Sequence, residues 1–92
     1  MGYIGSQAYT FGQSVSLDLP SIDANTVAAE TFTVNGLRAD AGPVVVEKRT
    51  SNTGLVLQSS RVSADNTLEL TLENTTGSAI NAAAQTFYIV QL

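Results

Sequence analysis

Between Arg61 and Gly77 the chain reads RVSADNTLELTLENTTG, and this run limits the possible folds more than any other. Leu68, Leu70 and Leu72 alternate with Thr67, Glu69, Thr71 and Glu73. A strict period of two puts three leucines on one face of a strand and hydroxyls and carboxylates on the other. Such a strand covers a core on one side and meets water or a polar partner on the other, as antiparallel sheets commonly do. Turn chemistry brackets it at Ser63–Asn66 and Asn74–Gly77. Asp and Asn tolerate left-handed backbone and bond their own neighbours, and Gly77 is expected to supply a positive φ. The glycosylation sequon Asn74-Thr75-Thr76 is read as part of that turn.

The remaining segments follow the same logic. Gln13–Leu19 alternates Val15, Leu17 and Leu19 against Ser14, Ser16 and Asp18 until Pro20 stops the strand. Thr26–Val34 makes a second strand with Phe32 and Val34 on one face. Asn35-Gly36 marks a tight turn, and Asp40–Pro43 a further break. Val44, Val45 and Val46, within Pro43–Arg49, form a β-branched run that suits a strand and resists a helix. Thr50–Gly54 predicts a hairpin loop into a strand over Leu55–Val62. The stretch Asn74–Ala84 exceeds what a hairpin needs and predicts a crossing to a second sheet. Gln85–Leu92, with Phe87, Tyr88, Ile89 and Val90, is expected as an interior strand, buried on both sides or packed at an interface. No helical period of useful length appears. The pattern predicts an all-β fold, an antiparallel β-sandwich of jelly-roll or Greek-key type over residues 13–92, with Leu68, Leu70, Leu72, Phe87 and Ile89 in its core.

At 92 residues the chain has room for one domain. Burial and conformational entropy nearly cancel at this size, and small domains commonly lean on disulfides, metals or neighbouring subunits. The absence of cysteine and histidine leaves association, so an oligomer or assembly component is expected. The net charge of -4 disfavours nucleic acid and anionic membranes, which call for basic patches. Charged residues make up only 13%, against a usual quarter, and a surface so lightly charged suits extensive contact with protein. The sequence shows neither a bilayer-spanning apolar run nor a secretory signal pattern.

The inventory for catalysis is thin. Without His or Cys the usual bases, thiolate nucleophiles and zinc ligands are missing. Glu69 and Glu73 leave one face of a strand roughly 13 Å apart, beyond the separations that paired-carboxylate glycosidases use. Asp23-Ala24-Asn25 opens like a calcium loop, but Val34 stands where the closing Glu belongs. No phosphate-cradling glycine loop precedes a Lys-Ser or Lys-Thr pair. The reading is a protein that is not an enzyme and takes no cofactor or metal.

Residues 1–12, MGYIGSQAYTFG, read as an uncharged N-terminal arm whose Tyr3, Tyr9 and Phe11 are expected to contact a partner, with the arm becoming a strand on contact; the alternative is that it covers one end of its own sandwich. Met-Gly with Ser6 also fits the short myristoylation pattern, which nothing else in the chain accompanies.

The runs TFTVNGL at Thr31–Leu37, GLVL at Gly54–Leu57, RVSADNTLELTLENTTGSAI at Arg61–Ile80 and TFYIV at Thr86–Val90, with the valines at 44–46, together resemble small structural proteins of tailed bacteriophages, notably marine podovirus-like phages. The resemblance spans about Val27–Leu92, leaves the arm outside, and rests on strand and turn residues, so no functional residue carries over. It implies a capsid decoration or cement protein in the virion, assembled in the host cytoplasm. Such a protein stabilises the shell through self-association, a trimer being favoured, and through contacts with major capsid or tail proteins. The alternative is a tail- or fibre-associated module binding host surface glycans, with Tyr88 or Tyr3 stacking on a sugar ring.

Overall fold

The computed structural model describes residues 11–92 of the chain. Among them are six strands: β1 (Phe11–Leu17), β2 (Thr26–Thr33), β3 (Val44–Lys48), β4 (Leu55–Ala64), β5 (Thr67–Asn74) and β6 (Gln85–Gln91). They form two antiparallel three-stranded sheets, ordered β1-β6-β3 and β2-β5-β4, packed as a sandwich. The winding is that of a long hairpin rolled up. β1 pairs with β6, β2 pairs with β5, and the β3-to-β4 connection forms the tip. β6 also takes β3 and β5 also takes β4, which completes the two three-stranded sheets of a small β-sandwich.

The leucine strand holds the centre of its sheet. Leu68, Leu70 and Leu72 are fully buried, facing Phe87 and Ile89 of the other central strand, which are equally buried. Thr67, Glu69, Thr71 and Glu73 alternate on the outer face. The core closes with residues outside the strands: Leu19 and Ile22 before β2, and Val34 and Leu37 after it. Ile22 and Ile80 exchange two backbone hydrogen bonds, 2.9 and 3.0 Å, which tie the β1–β2 loop to the long connection before β6.

That connection depends on Asn74. Its side chain is fully buried, and Nδ2 donates to the carbonyls of Ile22 (3.0 Å) and Ser78 (2.8 Å). Oδ1 accepts the Thr76 N–H at 2.8 Å, with the Thr76 hydroxyl also at 2.8 Å. The sequon asparagine is thus a structural plug with its amide committed. Gln91 plays a similar part at the other end of the sandwich: Nε2 donates to the Arg38 and Gly42 carbonyls (2.8 and 3.0 Å), and Oε1 accepts the Arg38 N–H (3.0 Å).

Several expectations need correction. Thr50–Gly54 does not close a hairpin, because β3 and β4 lie in different sheets; the one tight hairpin among the described residues is β4–β5, turning at Asp65-Asn66. Asn66 takes the left-handed conformation there (φ 60°), and its Oδ1 accepts the Gly36 N–H at 2.8 Å, so this turn docks on the Asn35-Gly36 turn, where Gly36 has φ 109°. Positive φ among the described glycines falls at Gly36 and Gly54, and Gly77 lies outside that region. β6 is central in its sheet but buried on one face only, since Thr86 and Tyr88 are exposed. The valine run is a half-buried edge strand whose Val45 is 58% exposed.

Gly54 shows how tightly the loops are packed. It sits at φ 80°, and an added Cβ would strike the Thr76 side chain. Gly54→Ala is expected to cost about 2 to 3 kcal/mol from left-handed strain plus this clash, read as a lower urea midpoint with an unchanged slope.

Candidate interaction surface

The two sheets present outer faces of different character. On β2-β5-β4, Glu69 and Glu73 project from the central strand. The Arg61 guanidinium meets Glu69 at 2.5 Å and the Gln58 amide donates to Glu73 at 2.8 Å, so each carboxylate already has a cross-strand partner. The two glutamates do not converge on a common point, and no acid–base pair is assembled there.

The outer face of β1-β6-β3 is nearly free of charge. Tyr88 stands at its middle, 37% exposed, with Ser14 of β1 and Glu47 of β3 as its cross-strand neighbours. The next row places Val90 between Gly12 and Val45, and Ser16 and Thr86 complete the face. Glu47 lies 3.6 Å from Arg49 in an exposed ion pair, so the two charges bordering this face cancel. Large apolar side chains on a lightly charged sheet face are what a contact surface offers.

Between β3 and β4 runs an open groove of about 410 Å³, lined among others by Pro43, Val44, Ser60, Arg61, Val62 and Gln91. Its ionisable side chain, Arg61, is engaged with Glu69, and the Gln91 amide holds the loop carbonyls beneath it. The groove therefore supplies shape without a free acid, base or nucleophile. Among the described residues, no group of three or more His, Cys, Asp or Glu side chains stands close enough to hold a metal ion, and no helix is long and apolar enough to cross a membrane.

Lys48, the one lysine, ends β3 with its Nζ donating to the Thr50 carbonyl (2.5 Å) and to Asn52 Oδ1 (2.6 Å). Asn52 Oδ1 also accepts from Gln85 Nε2 at 2.9 Å. This chain of bonds fixes the Gln85 amide so that its buried Oε1 has no protein partner. Partial burial draws the Lys48 pKa below the ordinary lysine value. A folded-state pKa below the unfolded one means that the unfolded chain binds more protons in the window between them, so stability rises with pH there, approaching 10.5. Lys48→Met is expected to flatten that alkaline rise, measured as urea midpoints of both proteins from neutral pH upward.

Of the residues expected to meet a partner, Tyr3 and Tyr9 lie outside the described residues. Phe11 does not belong to an arm. It opens β1 opposite Gln91, and its ring is 9% exposed within the hydrophobic core, against Gly36. A truncation through Gly12 would therefore remove a core residue along with the arm. Tyr88, which the sequence offered as a stacking ring, is exposed on the lightly charged face. What sequence reading missed was the face itself: Val45, Tyr88 and Val90 are far apart in the chain and join only through the β3–β6 register. The alternation of β6 was the one available signal. No family model, curated protein or solved structure matches this chain.

Proposed function

We propose that the chain is a virion structural protein, a capsid decoration or cement protein of a tailed phage that stiffens the shell by associating with its own copies and with neighbouring capsid subunits. The observation that carries this reading is the lightly charged outer face of β1-β6-β3, with Tyr88 and Val45 exposed and Val90 half-buried beside them. It is joined by the resemblance of the strand and turn residues to phage virion proteins. Many weak contacts repeated by symmetry give avidity without a deep site, so a small domain with engaged polar groups suffices. Quantitative mass spectrometry of purified particles from the phage encoding the chain tests this. Copies in large, near-stoichiometric proportion to the capsid subunit are expected, and absence from the particle removes the proposal.

A second reading, binding of a host surface glycan, is favoured by one feature: Tyr88 is exposed between a hydroxyl at Ser14 and a carboxylate at Glu47. An aromatic ring beside polar groups can stack on a sugar and bond its hydroxyls. Specific binding on a glycan array that Tyr88→Ala abolishes would support this reading, and a blank array would remove it.

A further inference from the structure

Four strands lie at sheet edges among the described residues, and an unguarded edge is a template for pairing with another chain. Three of the four carry recognised safeguards. β2 turns the Glu30 carboxylate toward the inner face at mid-strand, opposite Leu70. β3 is only five residues long, follows Pro43 and carries Glu47 and Lys48. β4 is broken by two register shifts, at Leu57/Ser59 and Val62/Ala64, and carries Arg61. β1 has none of these. Its sequence FGQSVSL contains no charge and no proline, it runs seven residues against β6 without a register shift, and Gly12, Gln13, Ser14 and Ser16 are exposed.

We infer that the edge of β1 that no other described strand covers is a self-association site at which β1 of a second copy pairs antiparallel about a two-fold axis between the two Ser14 residues. This inference deepens the proposed function by naming the surface used for self-association, and it rests on that reading. The choice of a second copy follows from how β1 matches itself. Antiparallel pairing centred on Ser14 sets Phe11 opposite Leu17 and Gln13 opposite Val15 on the inner face. On the outer face it sets Gly12 opposite Ser16 and Ser14 opposite its own equivalent. Phe11 meets Leu17 and small residues meet small ones, as cross-strand pairs prefer, with Gln13 against Val15 as the one mixed pair. Charge favours the same occupant: copies of a chain with net charge -4 approach along the one edge strand that has none. The product is a continuous six-stranded sheet, β3-β6-β1 joined to its two-fold mate, which also doubles the lightly charged face around Tyr88. Two-fold closure makes the unit a dimer, unlike the trimer favoured with the resemblance to phage decoration proteins.

The full chain and two edge variants test the inference. Sedimentation velocity from micromolar to millimolar concentration is expected to show the 9.6 kDa chain moving toward twice that mass. Ser14→Lys, which places two ammonium groups face to face on the axis, is expected to remain monomeric with an unchanged urea midpoint. Because the chain has no cysteine of its own, Ser14→Cys gives a unique thiol. A short bismaleimide is expected to join it into dimers at least tenfold faster than it joins Thr33→Cys on the exposed face of β2. A monomeric wild-type chain at millimolar concentration, a Ser14→Lys protein that associates like wild type, or equal cross-linking of the two cysteine variants overturns the inference. Particle binding separates it from the proposed function. A monomeric chain found in virions sinks only the β1 pairing, and a β1 dimer absent from virions sinks only the decoration role.

Discussion

Asn74→Ala is expected to destabilise the fold by about 2 to 4 kcal/mol, because the substitution removes several hydrogen bonds made by one fully buried side chain. The Ile22 and Ser78 carbonyls each lose one of two donors, keeping the Ile80 N–H and the Thr76 hydroxyl, and the Thr76 N–H loses its acceptor. Each lost bond costs about 0.5 to 1.5 kcal/mol, the N–H left without an acceptor costs about 1 to 3 kcal/mol, and the alanine no longer fills the fully buried amide's place. Against a total stability of roughly 5 to 14 kcal/mol for a chain of this length, the loss is severe. Urea unfolding measures it directly. A loss under 1 kcal/mol would mean that residues 74–84 hold their course without the amide. Asn74→Asp is a sharper variant, since a carboxylate aimed at two carbonyls repels where the amide donates, and its penalty is expected to grow as pH rises and the carboxyl ionises.

The second large effect is expected at Leu70→Ala, about 3 to 5 kcal/mol. Leu70 is fully buried at the middle of the central strand, and its lateral partners in register are Glu30 and Ser60. Neither can slide an apolar side chain into the space that a truncated leucine vacates, so most of the cavity term survives. Leu72 offers the internal comparison. It is equally buried, but Ala28 and Leu57 flank it, and Leu57 is only partly buried and free to relax inward. Leu72→Ala is therefore expected to cost less than Leu70→Ala by about 1 kcal/mol or more. Equal losses would indicate that lateral neighbours do not decide how well this core collapses.

Legibility in the sequence tracked how local the cause was. The period of two in β5 depends only on residues i and i+2, and the three leucines it predicted as buried are all fully so. The long connection after Asn74 was legible through its length, and it does carry the chain from one sheet to the other. Pairing between distant segments left no mark of that kind. Thr50–Gly54 has the composition of a hairpin loop, yet the rolled winding sends β3 to β6 and β4 to β5. The buried amides of Asn74, Gln85 and Gln91 were equally silent, because a polar residue reads as exposed until its carbonyl partners are known. Phe11 sat in a glycine-containing uncharged stretch that looked like an arm, and only its register with Gln91 shows it as the first residue of a strand. The candidate surface was visible one strand at a time. Its lack of charge became apparent when β1, β6 and β3 were laid side by side, and the exposure of β1 when it was compared with three edges that are guarded.

The account stands or falls on whether this domain meets its own copies, and the most direct measurement is the solution mass of the full chain followed across a thousandfold range of concentration. A mass that climbs with concentration from 9.6 kDa toward double, and stays at 9.6 kDa for Ser14→Lys, is the predicted result. A mass fixed at the monomer value throughout would contradict it.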